Sequence, residues 1–421
     1  MNLRPRLRSA IVGLFLAVAL AVAGPLLAQQ KAPAQQPKPR IRAITAFVNL
    51  DRAQYQQQIA DAFALLKRAR TTFESRGYVV QTIRLATQPF PEYTKDLSPA
   101  AAIAFFLKLD EIADRDKFII AIGPAMRHPG DSPAEADLLA NILRGTKHIS
   151  GTVAVAGEDG VRWLAVGAAA RVMKKLEDTD RSEGNFKFAA IAMVPPMSPF
   201  FPAAYNEGFG HQFAVGLESP NVVQAAFKGA PDLVAARQKL TDALAAEAFD
   251  VQTHASRIDM ETGWRFAGID LSPAPGKDAS IALAMEELTQ QPFGSSGTLT
   301  AAATITAAIK AISVQQTGYS GLMLPVLEDP ELAKRWTEGH LSVDALLAYS
   351  AVCATGLDTI PLPGDVTEEQ LDLMIGDMAS LAFKWHKPLT ARLLPVAGKQ
   401  AGDMTEFTDP NLIDVKLQPL E

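Results

Sequence analysis

Beyond residue 40 the chain alternates between two hydrophobic periods. Short apolar runs occupy 41–48, 79–86, 118–123, 149–156, 186–194, 211–217, 265–271, 321–326, 357–362 and 389–396. Runs of this length and composition predict strands. Between most of them apolar residues recur at three- and four-residue spacing, as Ile59, Phe63, Leu66, Ala69 and Phe73 do within 55–73, which predicts helices. Further helices are expected at 231–248, 278–288, 299–311, 343–353 and 368–383, the first entered through Pro231, which the first turn tolerates. Strand then helix, repeated, predicts parallel strands with crossover helices, an α/β fold of ten strands. No composition break or internal repeat divides 40–421, so a single domain is expected there.

The N-terminus follows neither period. Arg4, Arg6 and Arg8 precede an unbroken run of small and aliphatic residues at 11–23, and small residues at Ala21, Ala23 and Ala28 offer cleavage positions. This layout predicts a secretory signal peptide over 1–28 and a periplasmic or secreted protein. Residues 29–39, with four Gln, two Lys and three Pro, read as a linker. Nothing after the leader is apolar enough for a membrane span. Of 421 residues 48% are hydrophobic, enough for a large core. Removing the three leader arginines from 40 bases leaves 37 against 46 acids, a net charge of −9. An acidic body without a basic stripe argues against nucleic acid as a partner. The lone Cys353 excludes an internal disulfide, the six histidines show no metal-ligand spacing, and no cofactor motif is present.

In parallel α/β folds the working site lies beyond the carboxyl ends of the strands. That rule points to Asp270 and Ser272 after one strand, and to Ser295, Ser296, Gly297 and Thr298 before a helix. Ser320 and Gly321 form a third loop of the same kind. Hydroxyls, free backbone and a helix start suit an anion, although the same residues also make ordinary caps and turns. Asp270 and Asp358 sit near expected strand ends, where a buried carboxylate needs a partner such as Arg84 or Arg392. Cys353, at the end of an apolar stretch, reads either as a small buried hydrophobe or as a reactive thiol. The aromatic segment 199–210, with Phe200, Phe201 and Tyr205, reads as a packed connection or a lid over a pocket.

Several ordered motifs then resemble one family. Gly268-Ile269-Asp270-Leu271-Ser272-Pro273-Ala274-Pro275, Gly294-Ser295-Ser296-Gly297-Thr298 and Gly318-Tyr319-Ser320-Gly321 carry the likeness. So do Ala354-Thr355-Gly356-Leu357-Asp358, Thr390-Ala391-Arg392-Leu393-Leu394-Pro395 and Gly402-Asp403-Met404-Thr405-Glu406-Phe407. Together they resemble the pyruvate-formate-lyase-like "domain of unknown function 711" family. The resemblance implies a ten-stranded α/β barrel related to glycyl-radical enzymes, with Cys353 at the position comparable to their radical cysteine. It supplies no reaction. No glycyl-radical loop is present, and Thr408-Asp409 stands where the family usually has a glycine pair, so radical chemistry is not expected. The resulting expectation is an exported enzyme acting by hydrolysis, isomerisation or elimination on a small polar molecule inside the barrel. Asp270, Asp358 and Cys353 are its catalytic candidates, and Ser272, Ser295, Ser296, Gly297, Thr298, Ser320, Gly321, Arg84 and Arg392 its ligand contacts. The alternative is a non-catalytic binding or scaffold protein of the cell envelope. A homodimer stays open in either case.

Overall fold

The computed structural model describes residues 37–420; the expected leader at 1–28 and the linker up to residue 36 lie outside the described residues. The strands are β1 (Arg40–Val48), β2 (Val80–Thr87), β3 (Ile119–Ala125), β4 (Ile149–Gly157), β5 (Gly160–Val161), β6 (Phe188–Ala192), β7 (Gln212–Glu218), β8 (Arg265–Asp270), β9 (Gly356–Pro363) and β10 (Leu389–Val396). They form one mixed ten-stranded sheet, ordered β8-β7-β1-β2-β3-β4-β6-β10-β9, with the two-residue β5 folded back on β4. β1, β2, β3, β4 and β6 run parallel to one another. β7 is antiparallel to β1 and carries β8 parallel beside it; β10 is antiparallel to β6 and carries β9 likewise.

Nine of the ten runs read from the sequence are strands. The tenth, 321–326, is not. That stretch makes one isolated bridge, Pro325 to Asp358, while Gln316 just before it bridges Ile269. The segment thus touches both edge strands, β8 and β9, without forming a ladder. Proline cannot donate to one, and left-handed backbone at Gly318 and Ser320 breaks the extension.

Helices cover the outer face. Tyr55–Glu74 buries Ile59, Leu66, Ala69 and Phe73 in the same apolar cluster as Ile83 and Leu85 of β2. Ser98 and Ser132 each cap a helix that opens with proline, accepting from Ala101 N and Ala134 N. Thr367 and Gln370 form a reciprocal capping box for Glu368–Trp385. The helix expected at 231–248 runs from Leu233 to Thr262, because its buried stripe continues through Val251, Ala255 and Ile258.

Period-two alternation places the polar side chains inside. On β2, Ile83 and Leu85 face the helices, while Thr82 and Arg84 face the interior cavity; on β10, Leu389, Ala391 and Leu393 face out, and Thr390 and Arg392 face in. The interior itself is lined by small residues, among them Ala154, Ala189 and Ala214. Small strand residues leave volume that something must fill. The segment 197–206 fills it, with Phe200, Ala203, Ala204, Tyr205 and Asn206 all buried. Thr45 Oγ1 donates to Pro199 O at 2.9 Å, Thr317 Oγ1 to Met197 O at 3.2 Å, and Asn206 N to Thr87 O at 2.8 Å. A Cβ at Gly216 would come 2.9 Å from the Phe200 ring, so glycine there admits the ring against β7. The aromatic segment is therefore an interior plug rather than a lid.

Candidate functional site

A cavity of about 690 Å³ lies on the inner face, floored by Phe200, Phe201 and Pro202 of the plug. Its other walls come from the amino-terminal parts of β1, β2, β4 and β6, from β9 and β10, from the loop after β8 and from residues 319–328. The rule that sites lie beyond carboxyl ends holds for sheets whose strands all point one way. Here the reversal at β7 brings both kinds of strand end to one mouth.

Seven arginines and lysines line the cavity against four carboxylates. A chain of ion pairs runs inward from the mouth. Arg40 pairs with Asp278 and, at 3.1 Å, with Glu218. Arg42 reaches Glu218 at 3.3 Å and Glu328 at 2.9 Å, and Gln81 Nε2 donates to Glu218 at 2.7 Å. Arg392 donates through Nη2 to Glu328 at 2.5 Å and through Nε to Asp358 at 2.8 Å. Burial pushes the Glu218 and Asp358 carboxyls up, the nearby guanidiniums opposing it. Burial also pulls the Arg392 guanidinium down, but Asp358 and Glu328 more than offset this and leave it above its ordinary value.

Local irregularities aim these groups. Between Ile41 and Ala43 the β1 register against β7 slips by one residue, placing Arg42 in a bulge. On β9 the register against β10 slips between Leu357 and Ile360, and Thr359 adopts φ 47°, which brings Asp358 to Arg392. Glu328 is held by its neighbour Asp329. That buried carboxylate caps the helix Pro330–Thr337 and accepts from Ser280 Oγ at 2.6 Å and Ile281 N at 2.7 Å.

Arg84 stands apart from this chain. It is 7% exposed and projects from β2 into the cavity. Its Nε donates to Thr82 Oγ1 at 3.0 Å, and Phe201 packs its ring 5.0 Å from the guanidinium. Among the described residues no carboxylate lies within ion-pair distance of it. Its pKa is pushed down to about 9, chiefly by burial and then by repulsion from Arg42 and Arg392, with Glu328 opposing. Thr355, also lining the cavity and buried, keeps its Oγ1 without a partner.

Of the residues singled out from the sequence, Arg84, Asp358 and Arg392 line this cavity together. Asp270, Ser272, Ser320 and Gly321 meet beside it without lining it. Asp270 Oδ1 accepts from Ser272 N, Ser272 Oγ and Ser320 N at 3.0, 2.6 and 2.9 Å, and Oδ2 accepts from Tyr319 N at 2.7 Å. Gly321 N donates to Ser272 Oγ at 3.2 Å. Burial pushes the Asp270 carboxyl up against these bonds. The cluster pins the loop that presents Tyr319 to the cavity, so its role is positional. Ser295, Ser296 and Gly297 precede the helix Thr298–Lys310, where Thr298 Oγ1 accepts from Gly294 N at 3.1 Å, away from the cavity lining. Cys353 is fully buried beyond the end of the helix Val343–Ser350 and does not line the cavity. Burial pushes its thiol up, and Lys387 nearby donates to the carbonyls of Ser350, Ala351 and Cys353.

Sequence reasoning passed over Arg40, Arg42, Gln81, Glu218 and Glu328. The signal available was a polar residue at alternate positions of otherwise apolar strands: Arg40 and Arg42, Thr82 and Arg84, Thr390 and Arg392.

The family model described as Uncharacterised ACR (DUF711) matches residues 34–409. A UPF0210 protein of Pyrobaculum arsenaticum is 32% identical over 350 residues, covering 79% of this chain and 77% of that one. One of Pyrobaculum islandicum is 32% identical over 398 residues, covering 87% of each chain. One of Desulforudis audaxviator is 32% identical over 353 residues, covering 79% and 77%. Among solved structures, the anaerobic ribonucleotide reductase from Thermotoga maritima in complex with dATP and CTP aligns over 89% of this chain and 79% of that one. Its identity is 9% and its TM-score 0.39, and a likeness at that level carries no argument about chemistry.

Proposed function

This chain belongs to the uncharacterised ACR (DUF711) family, and from that premise we propose that it binds a small organic anion inside its sheet and acts on it by acid–base chemistry. The observation that carries the reading is Arg84, a buried guanidinium that faces the cavity with no carboxylate within ion-pair distance among the described residues. A buried charge without a partner costs several kcal/mol, so an isolated one at a cavity wall points to a ligand that completes the pair. Asp358, pushed up by burial and facing the same space, is the proton donor or acceptor; Arg392 orients it. In this reading the sheet closes through the segment around Gln316 and Pro325, which touches both edge strands, into a ten-stranded barrel of the pyruvate-formate-lyase-like type. The reaction proceeds without a glycyl radical. The basic start and apolar run at 11–23 support export to the periplasm or beyond, which the N-terminal residue of the protein recovered from a periplasmic fraction tests: Gly24 or Gln29 supports cleavage, Met1 refutes it.

Titration calorimetry with acetate, benzoate and inorganic phosphate tests the site. At least one binds, and Arg84→Met abolishes that binding; if none binds the purified protein, the reading fails. For catalysis, proton NMR in deuterated water follows exchange of the α-hydrogens of acetate and phenylacetate, expected with the parent and lost in Asp358→Asn. A second reading, binding without turnover, is favoured by one feature: Arg392 already engages both Glu328 and Asp358. Tight binding with no exchange in the parent decides for it.

A further inference from the structure

We infer that the anion is a monocarboxylate carrying a flat, apolar body of about the size of an aromatic ring, and not a phosphate. This deepens the reading above and rests on it. The first ground is charge. Around the inner end of the cavity Arg42, Arg84 and Arg392 face Glu328 and Asp358, while Glu218 is shared between Arg42 and Arg40 nearer the mouth. Of the four cavity arginines, Arg40, Arg42 and Arg392 each contact a carboxylate, and Arg84 alone has none within ion-pair distance. One unpaired guanidinium complements a single negative charge. A phosphate dianion would enter beside Glu328 and Asp358 with only half its charge balanced, and like-charge repulsion at short range in a poorly solvated space is costly.

The second ground is the wall. Phe201 lies against the Arg84 guanidinium at 5.0 Å, and Phe186 against that of Arg392 at 4.9 Å. Phe200, Tyr319 and Met323 complete an apolar surface beside both cations. A carboxylate held by Arg84 would therefore have its carbon body directed along aromatic faces, which favour offset or edge-on contact with another flat group.

The test is a ligand series on the purified full-length protein, read by titration calorimetry at fixed pH and ionic strength, with benzoate, acetate, inorganic phosphate and the uncharged benzyl alcohol as probes. Benzoate is expected to bind at least tenfold more tightly than acetate or phosphate, and benzyl alcohol at least tenfold more weakly than benzoate. In Phe201→Leu the benzoate-to-acetate affinity ratio falls severalfold. Phosphate binding as tightly as benzoate, or acetate matching it, overturns this inference while leaving Arg84-dependent anion binding intact. Absence of binding by every anion overturns both. The comparison among ligands uses the parent protein, so it stands whether or not the Phe201 variant folds.

Discussion

Replacing Arg84 by methionine should raise the stability of the ligand-free protein. Burial and neighbouring arginines push the Arg84 pKa down to about 9, and at about 1.4 kcal/mol per tenfold change this corresponds to a few kcal/mol against the charged form. The sign follows from proton counting. A cation whose folded pKa lies below its unfolded one loses protons on folding only above about pH 9, so at neutral pH the full penalty is present. Methionine keeps most of the aliphatic stem, and losing the bond to Thr82 Oγ1 costs about 1 kcal/mol at most, since that hydroxyl also donates to Arg42 O. The net gain is on the order of a few kcal/mol. For a body spanning 37–420 the unfolding entropy is about 0.8 kcal/mol per degree, so differential scanning calorimetry should record a rise of a few degrees. Conversely, an anion at a hundred times its Kd should stabilise the parent by about 2.7 kcal/mol and leave the variant unmoved. A lower melting temperature for Arg84→Met, or an equal ligand-induced shift in both proteins, would refute the argument that this charge is held without a partner.

Three further outcomes follow from the same contacts. Asp270→Asn replaces an acceptor of four hydrogen bonds by a group that must turn an amide N–H toward backbone donors; a loss of about 3 kcal/mol in urea unfolding is expected, and an unchanged midpoint would remove its role in pinning the Tyr319 loop. Burial raises the carboxyls of Asp270, Asp329, Asp358 and Glu218 above their unfolded values. The folded state therefore binds more protons just above the ordinary carboxylate range, and these groups make stability increase as pH falls from 7 toward 5. Carboxyls pulled down by exposed partners, such as Asp278 beside Arg40, stay ionised in both states across that window and do not oppose the trend. Urea midpoints at constant ionic strength that fall steadily from pH 7 to 5 would contradict it. Finally, the buried Cys353 thiol should react with a chromogenic disulfide reagent only at the rate of unfolding; fast labelling of the native protein would restore it as a reactive group.

The hydrophobic pattern by itself determined the alternation of strands and helices, because period two and period 3.6 are local properties of the chain and the helix caps at Ser98, Ser132 and Thr367 are local too. It also brought Arg84, Asp358 and Arg392 into view, as charged residues within apolar runs that need partners when buried. It misjudged 321–326, where composition suits a strand but Pro325 and the left-handed turn at Ser320 prevent a ladder. Asp270 drew notice for its place at a strand end, yet whether a carboxylate faces a cavity or its own loop depends on where residues 319 and 320 come to rest. Only the tertiary structure decided three things. It reversed strand direction at β7 and at β10, so that amino and carboxyl ends share one mouth. It set Arg42 and Asp358 in bulges, whose one-residue slips leave no mark in a period-two pattern. And it matched every cavity arginine but one to carboxylates up to 286 residues away, a pairing of charges that depends on distance in space, which the order of residues along a chain does not encode.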